Sequence, residues 1–245
     1  MNITNRQAVI ASSFAAHVND YEQFADVQRL VAGNLAGMIP DTDEPEILEI
    51  GCGTGFLTSH LVDRFPDGRF HITDLCPEML ASCQKKFSKY DNMFFSQMDG
   101  ECPVLDRKYD FIASSLTVQW FLDPITNLRK LTRYLKPGGE VYYATLGNQS
   151  FREWRDVLNG MGFSSGFMPV PDMPGLFDEE FITIKYENAR SFLKSLKSIG
   201  AGQPRSGYKP IPPISLRRAC DKFDDTNKNG GVTWHIAYGR LDTLS

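Results

Sequence analysis

Glu49, Asp74 and Asp99 each sit at or near the end of a short, mainly apolar run, and Glu49 leads into Gly51-Cys52-Gly53-Thr54-Gly55. Glycines in such a turn let the backbone bend tightly and let a ligand approach the main chain. The turn opens a helical stretch, whose first amides favour a carboxylate or phosphate. Asp74 follows roughly 20 residues on, where an acid usually holds a ribose hydroxyl. Asp99, in Met98-Asp99-Gly100, offers an acceptor for the exocyclic amine of an adenine. A dinucleotide fingerprint reads G-x-G-x-x-G. Here the third glycine comes one position early, and Phe56 and Leu57 follow it. A tight loop beside three acids suits a nucleoside carrying an ammonium and a sulfonium, and suits a diphosphate poorly. The plainer reading is a tight strand-to-helix turn with solvated acids at the strand ends.

The elements that must hold these residues alternate. Glu46 to Ile50 reads as a strand, and a helix through Phe56, Leu57, Leu61 and Phe65 stops at Pro66-Asp67-Gly68. Arg69 to Asp74 is a second strand, and Pro77 opens the next helix. Met93 to Met98 and Tyr109 to Ser114 are the third and fourth strands. Pro124 to Leu135 is an amphipathic helix closed by Lys136-Pro137-Gly138-Gly139, before a fifth strand from Glu140 to Leu146. Alternation of this kind implies right-handed crossovers and a parallel sheet covered on both faces. Thr4 to Ile39 reads as two helices broken near Asn19-Asp20. Gly160 to Pro174 is a loop suited to be a lid, Phe181 to Tyr186 a strand, and Glu187 to Ile199 a helix. Gly200 to Pro213 is a second loop, and Val232 to Leu241 a closing strand.

With 245 residues, 42% hydrophobic and 23% charged, the chain suits one α/β domain with additions. A net charge of −4 provides no global positive field for nucleic acid or a membrane surface. The five cysteines, Cys52, Cys76, Cys83, Cys102 and Cys220, have no C-x-x-C spacing, so reduced thiols in a cytoplasm are expected and a metal is not. The opening residues MNITNRQAVIASSF carry no signal-peptide pattern, and no run is long and apolar enough for a membrane span. His17, His60, His71 and His235 form no motif and read as structural.

The Glu49-to-Gly55 turn, the acid at strand two, Met98-Asp99 after strand three and Leu135-Lys136-Pro137-Gly138-Gly139 before strand five resemble the class I S-adenosylmethionine-dependent methyltransferases, over roughly residues 46–146. The resemblance implies a Rossmann-like, seven-stranded α/β sheet with helices on both faces and one antiparallel strand, which 232–241 would supply. It implies one domain over 1–245, with an N-terminal helical cap (1–40), a cofactor-binding core (46–146), a substrate-side helical insertion (160–231) and a closing strand (232–241). S-adenosylmethionine is the implied cofactor and S-adenosylhomocysteine the product. By the same resemblance Gly51, Gly53 and Gly55 line the methionine part, Asp74 holds the ribose and Asp99 the adenine. Tyr21, Gln28, Glu49, Leu75, Gly100 and Ser115 are expected around them.

Three shorter blocks, Tyr21 to Arg29, Ser115 to Trp120 and Ser195 to Ala201, in this order resemble the malonyl-acyl-carrier-protein O-methyltransferases of biotin synthesis. After Ala201 the chain departs, being richer in proline through Pro213. The resemblance implies methyl esterification of malonyl-acyl carrier protein at the start of pimeloyl and biotin synthesis, by a monomer. A malonyl carboxylate is already ionised near neutral pH, since free carboxyls titrate near 4; no general base is needed. Tyr21 is the candidate catalytic residue, closing the site, or else an interfacial tyrosine packing helix on helix. Gln119 and Trp120 are candidate substrate contacts. Arg190, Lys194 and Lys197 form one helical stripe, with Arg205, Lys209, Arg217 and Arg218 nearby in sequence. Lys194, Lys197 and Arg205 are expected to meet the anionic carrier, against the plainer reading of a solvated basic face. Other readings stay open: a carboxyl methyltransferase acting on an aconitate-like free acid, a ubiquinone-type C-methyltransferase, which would need a base, and a non-catalytic S-adenosylmethionine-binding subunit. The glycine spacing disfavours a nicotinamide oxidoreductase.

Overall fold

The computed structural model describes residues 3–18, 21–167, 170–199 and 207–243. A seven-stranded sheet runs in the order β3-β2-β1-β4-β5-β7-β6. Its strands are β1 (Glu46–Ile50), β2 (Arg69–Asp74), β3 (Met93–Gln97), β4 (Tyr109–Ser115), β5 (Leu135–Leu146), β6 (Leu176–Lys185) and β7 (Gly231–Asp242). The first five pair in parallel. β7 runs antiparallel to both β5 and β6, the single reversed strand of the sheet. The central strands are apolar at successive positions because both faces are covered. Ile47, Phe111 and Tyr142 enter one core, while Leu48, Ile112, Val141 and Tyr143 enter the other.

The larger core packs α3 (Asp26–Met38), α4 (Phe56–Arg64), α5 (Pro77–Lys86), α7 (Arg152–Gly160), α8 (Ala189–Ser198) and α9 (Pro213–Thr226). The smaller packs α6 (Pro124–Leu131) through Leu128 and Leu131. At the N-terminal side lie α1 (Ile3–Ala15) and the single turn α2 (Tyr21–Phe24). No described helix is long and apolar enough to cross a membrane.

Several boundaries differ from the sequence reading. The helix opened by Pro124 ends at Leu131 and tightens into a 3-10 turn over Thr132–Tyr134. β5 therefore starts at Leu135, with a register shift opposite Tyr109 and Phe111. Gly139 belongs to this strand: a Cβ there would lie 2.8 Å from the Asp110 carbonyl oxygen. β6 begins at Leu176, earlier than alternation suggested, because its first residues are exposed on both faces. The N-terminal region breaks additionally at Ala25, and the expected break at Asn19-Asp20 lies outside the described residues. Two helices were not expected. α7 follows Phe151, a left-handed N-cap (φ 57) with no capping side chain. α9 starts on Pro212-Pro213 and buries only Ala219, Cys220 and Phe223.

Candidate active site

The glycine turn closes the C-terminal end of β1, and each glycine answers a different constraint. Gly51 (φ 74) lies where a Cβ would come within 2.3 Å of Thr117 Oγ1. Its amide and that of Cys52 both donate to the Thr73 carbonyl, at 2.9 Å each. Gly53 (φ 54) faces open space, and its amide donates to Asp74 Oδ2 at 2.8 Å. Gly55 (φ 91) is the N-cap of α4, and its Cβ would meet Phe87 at 2.7 Å and Cys83 at 2.9 Å. Gly55 thus seats α4 against α5, and it is not among the described residues that line the cavity.

That cavity collects the residues that follow β1, β2, β3 and β4. Glu49, Gly51, Gly53, Asp74, Leu75, Asp99, Gly100 and Ser115, which the sequence reading named as cofactor contacts, all line it. Glu101 adds a fourth acid, and no lysine or arginine is among the described lining residues. Glu49 is 1% exposed and accepts from Thr58 Oγ1 at 2.6 Å; burial raises its carboxyl to about 8, and the neighbouring Asp74 charge adds to that. Burial also raises Asp74, against the backbone amides of Cys76, Gly53 and Leu75. Both carboxyls are raised mainly because burial strips the water that would stabilise their charge. Two buried polar atoms, Gln28 Oε1 and Thr54 Oγ1, line it without a protein partner. Four acids, two unpartnered polar atoms and the space beside Gly53 fit a cationic nucleoside; a diphosphate would find no cation.

A family model described as a methyltransferase domain matches residues 48–143. The malonyl-[acyl-carrier protein] O-methyltransferase of Magnetococcus marinus is 34% identical, over 96% of this chain and 92% of that protein. This chain belongs to that methyltransferase family. The biotin biosynthesis bifunctional protein BioCD of Bordetella avium is 38% identical over 94% of this chain, which spans 51% of that protein's length. Among solved structures, a Haemonchus contortus phosphoethanolamine N-methyltransferase in complex with S-adenosylhomocysteine matches with a TM-score of 0.54 at 15% identity. That match covers 93% of this chain and 57% of the other, and at this identity it shows the fold alone.

A second cavity of about 1050 Å³ adjoins the acidic one. Phe14, Tyr21, Gln28, Leu116, Trp120 and Phe121 line both and form the junction. Tyr21 stacks on Phe56 with ring centroids 6.2 Å apart. Burial, reinforced by Asp74, holds its phenol above the ordinary value, so it stays a neutral donor. Leu116 is left-handed (φ 49), a strained conformation for a leucine, fixed by its amide's bond to the Ala144 carbonyl. Gln119 lines the second cavity, donating to the Leu116 carbonyl at 2.8 Å. Trp120 meets Phe14 edge-on at 5.6 Å, so it walls the junction as well as packing.

Lys194 and Lys197 are exposed on α8 and do not line the second cavity, although Leu196 and Ile199 of the same segment do. They were expected to meet the carrier, not to line a cavity: the apolar side of α8 faces the cavity and its basic side faces solvent. Arg205 lies outside the described residues. The sequence reading took α1 as part of a helical cap but did not place it in the site, where its Gln7, Ile10, Ala11 and Phe14 line the acidic cavity. The i, i+4 pair Ile10 and Phe14 was its one signal. It also missed Thr54, inside the glycine turn, and Arg155 and Trp234, which reach the second cavity only through tertiary packing. The expected lid loop does contribute, through Phe163, Phe167, Val170, Pro171 and Met173.

Proposed function

We propose that this protein is an S-adenosylmethionine-dependent carboxyl O-methyltransferase that esterifies the malonyl group of malonyl-acyl carrier protein, opening pimeloyl and biotin synthesis, and that it works as a cytoplasmic monomer. The observation that carries the reaction type is the junction. Its described residues, Phe14, Tyr21, Gln28, Leu116, Trp120 and Phe121, hold no histidine, lysine or carboxylate to act as a base. Such a junction suits a nucleophile that arrives ionised, as a carboxylate does near neutral pH. The acyl group and the carrier come from the similarity to the Magnetococcus marinus enzyme.

Bound S-adenosylmethionine supplies a methyl on a sulfonium. Glu49 and the Gly51-to-Thr54 part of the turn would hold its amino-acid end, Asp74 its ribose and Asp99 its adenine. Gln28 and Thr54 line the same cavity beside them. Phe14, Trp120 and Phe121 exclude water from the junction, which strips the hydration that blunts a carboxylate. Tyr21 closes the junction as a neutral hydroxyl and moves no proton. Alignment of the carboxylate with the methyl then supplies several kcal/mol of the barrier.

Incubation with methyl-labelled cofactor and either malonyl-acyl carrier protein or free malonate tests this reading. Base-labile label on the carrier alone is expected. Label on free malonate instead would move the assignment to a small-molecule acid.

A further inference from the structure

The two cavities divide charge between them. The acidic one has four acids and no lysine or arginine among its described lining residues. The described lining of the second holds two charged side chains, Asp123 and Arg155. Asp123 is engaged as the N-cap of α6, accepting from the Thr126 amide at 3.0 Å. Arg155, on α7, donates through Nη1 to the Asn148 carbonyl and pairs with no acid among the described residues. A guanidinium has five N–H donors, so most of the fork remains for a ligand. Its place is the cavity's opening. Asn148, which it bonds, and Asn159, one turn further along α7, both line the cavity and are exposed. Arg155 lines the second cavity alone, so it stands outside the junction.

We propose that Arg155 is the phosphate receptor of the substrate cavity, taking the phosphodiester of the phosphopantetheine arm on which a carrier protein presents its acyl group. The inference rests on the function proposed above. A carrier-bound malonyl group brings two anions, at opposite ends of one flexible arm. The carboxylate at the tip must reach the junction, where neutral side chains such as Tyr21 and Gln28 stand. The phosphodiester, where the arm joins the carrier, then stays at the opening, beside Arg155. The cavity's size agrees: about 1050 Å³ is at the upper end for small-molecule sites and far exceeds a three-carbon acyl group, so the arm has room. An arginine fork matches a pair of phosphate oxygens. A cation on the carboxylate would draw charge from the nucleophile; on the phosphodiester it anchors the arm and leaves the nucleophile undiminished.

Phosphopantetheine and pantetheine differ only in the phosphate, and both can be tested as inhibitors of malonyl-carrier methylation. In the wild type phosphopantetheine should inhibit about tenfold more tightly, the gain of one charge-assisted contact. Arg155→Gln should bring the two inhibition constants together. Arg155→Lys, which keeps the charge and loses the fork, should retain part of the gap. Each comparison is made within one variant, so a smaller folded fraction leaves the ratio intact. Equal inhibition by the two compounds in the wild type, or an undiminished gap in Arg155→Gln, overturns the assignment. So does a wild-type preference for malonyl-pantetheine over acetyl-pantetheine that vanishes in Arg155→Gln, which would put the guanidinium on the carboxylate. Failure of the wild-type protein to methylate malonyl-carrier would instead reject the underlying function.

Discussion

Glu49 concentrates the electrostatic character of the acidic cavity. With its carboxyl raised to about 8 by burial, it is mostly protonated in the ligand-free protein at pH 7. An ammonium beside it favours the charged form, so binding should expel about one proton at that pH. Titration calorimetry with S-adenosylhomocysteine in buffers of different ionisation enthalpy should show this release, and Glu49→Gln should abolish it; buffer-independent heat in the wild type would contradict the assignment. A carboxyl raised on folding favours the folded state fully below its unfolded value, and that advantage is lost as pH climbs toward about 8. Ligand-free Glu49→Gln should therefore gain melting temperature relative to wild type at pH 8.5, more than at pH 5. The glycines separate the same way. Gly53→Ala should cost only about 1–2 kcal/mol for its left-handed backbone, yet block the ligand. Gly55→Ala adds a collision with Phe87 and Cys83, so denaturant titration should find it the less stable of the two. At this scale the acids were legible because each follows an apolar run. Thr54 and Trp234 were not, since an unpaired polar atom has no signature in sequence.

Among the elements, α8 was legible because its buried residues Ala189, Phe192 and Leu196 recur at helical spacing behind a capping box of Asn188 and Ser191. Its outer face carries Arg190, Lys194 and Lys197, all exposed, and α9 beside it adds Arg217 and Arg218. Surface charge of this kind steers an anionic partner and is screened by salt. Reversing Lys194 and Lys197 to Glu should raise KM for malonyl-carrier several-fold at low ionic strength, with the difference shrinking as salt is added. Equal kinetics at low salt would assign this face to solvent alone. α1 was read as a helix but not as part of the site. Its seating depends on Gln7 bonding Asp99, Arg6 bonding the Trp120 carbonyl and Phe14 meeting Trp120, contacts between segments about a hundred residues apart. α7 and α9 escaped because one lacks a capping side chain and the other buries only Ala219, Cys220 and Phe223, too few for a clear helical stripe.

For the molecule as a whole, the strand order reverses between β1 and β4, and ligands of open α/β sheets bind where that happens. The carboxyl ends of β1, β2 and β4 and the turn after β3 converge there and deliver Glu49, Asp74, Asp99 and Ser115 to one cavity. That much was legible, because alternating strands and helices fix the topology and the acids mark the strand ends. The second cavity was not, because it draws on α1, the turns after β4 and β5, the loop before β6, α8 and β7, whose convergence no local pattern encodes. The acidic cavity's described lining holds four acids and no lysine or arginine, which calls for a ligand that is itself positive where it meets Glu49 and Asp74. Calorimetry with S-adenosylhomocysteine and with NAD, side by side, tests that requirement most directly. Saturable binding of the sulfur nucleoside with no heat from NAD is the expected result, and tight NAD binding with no response to the nucleoside would contradict it.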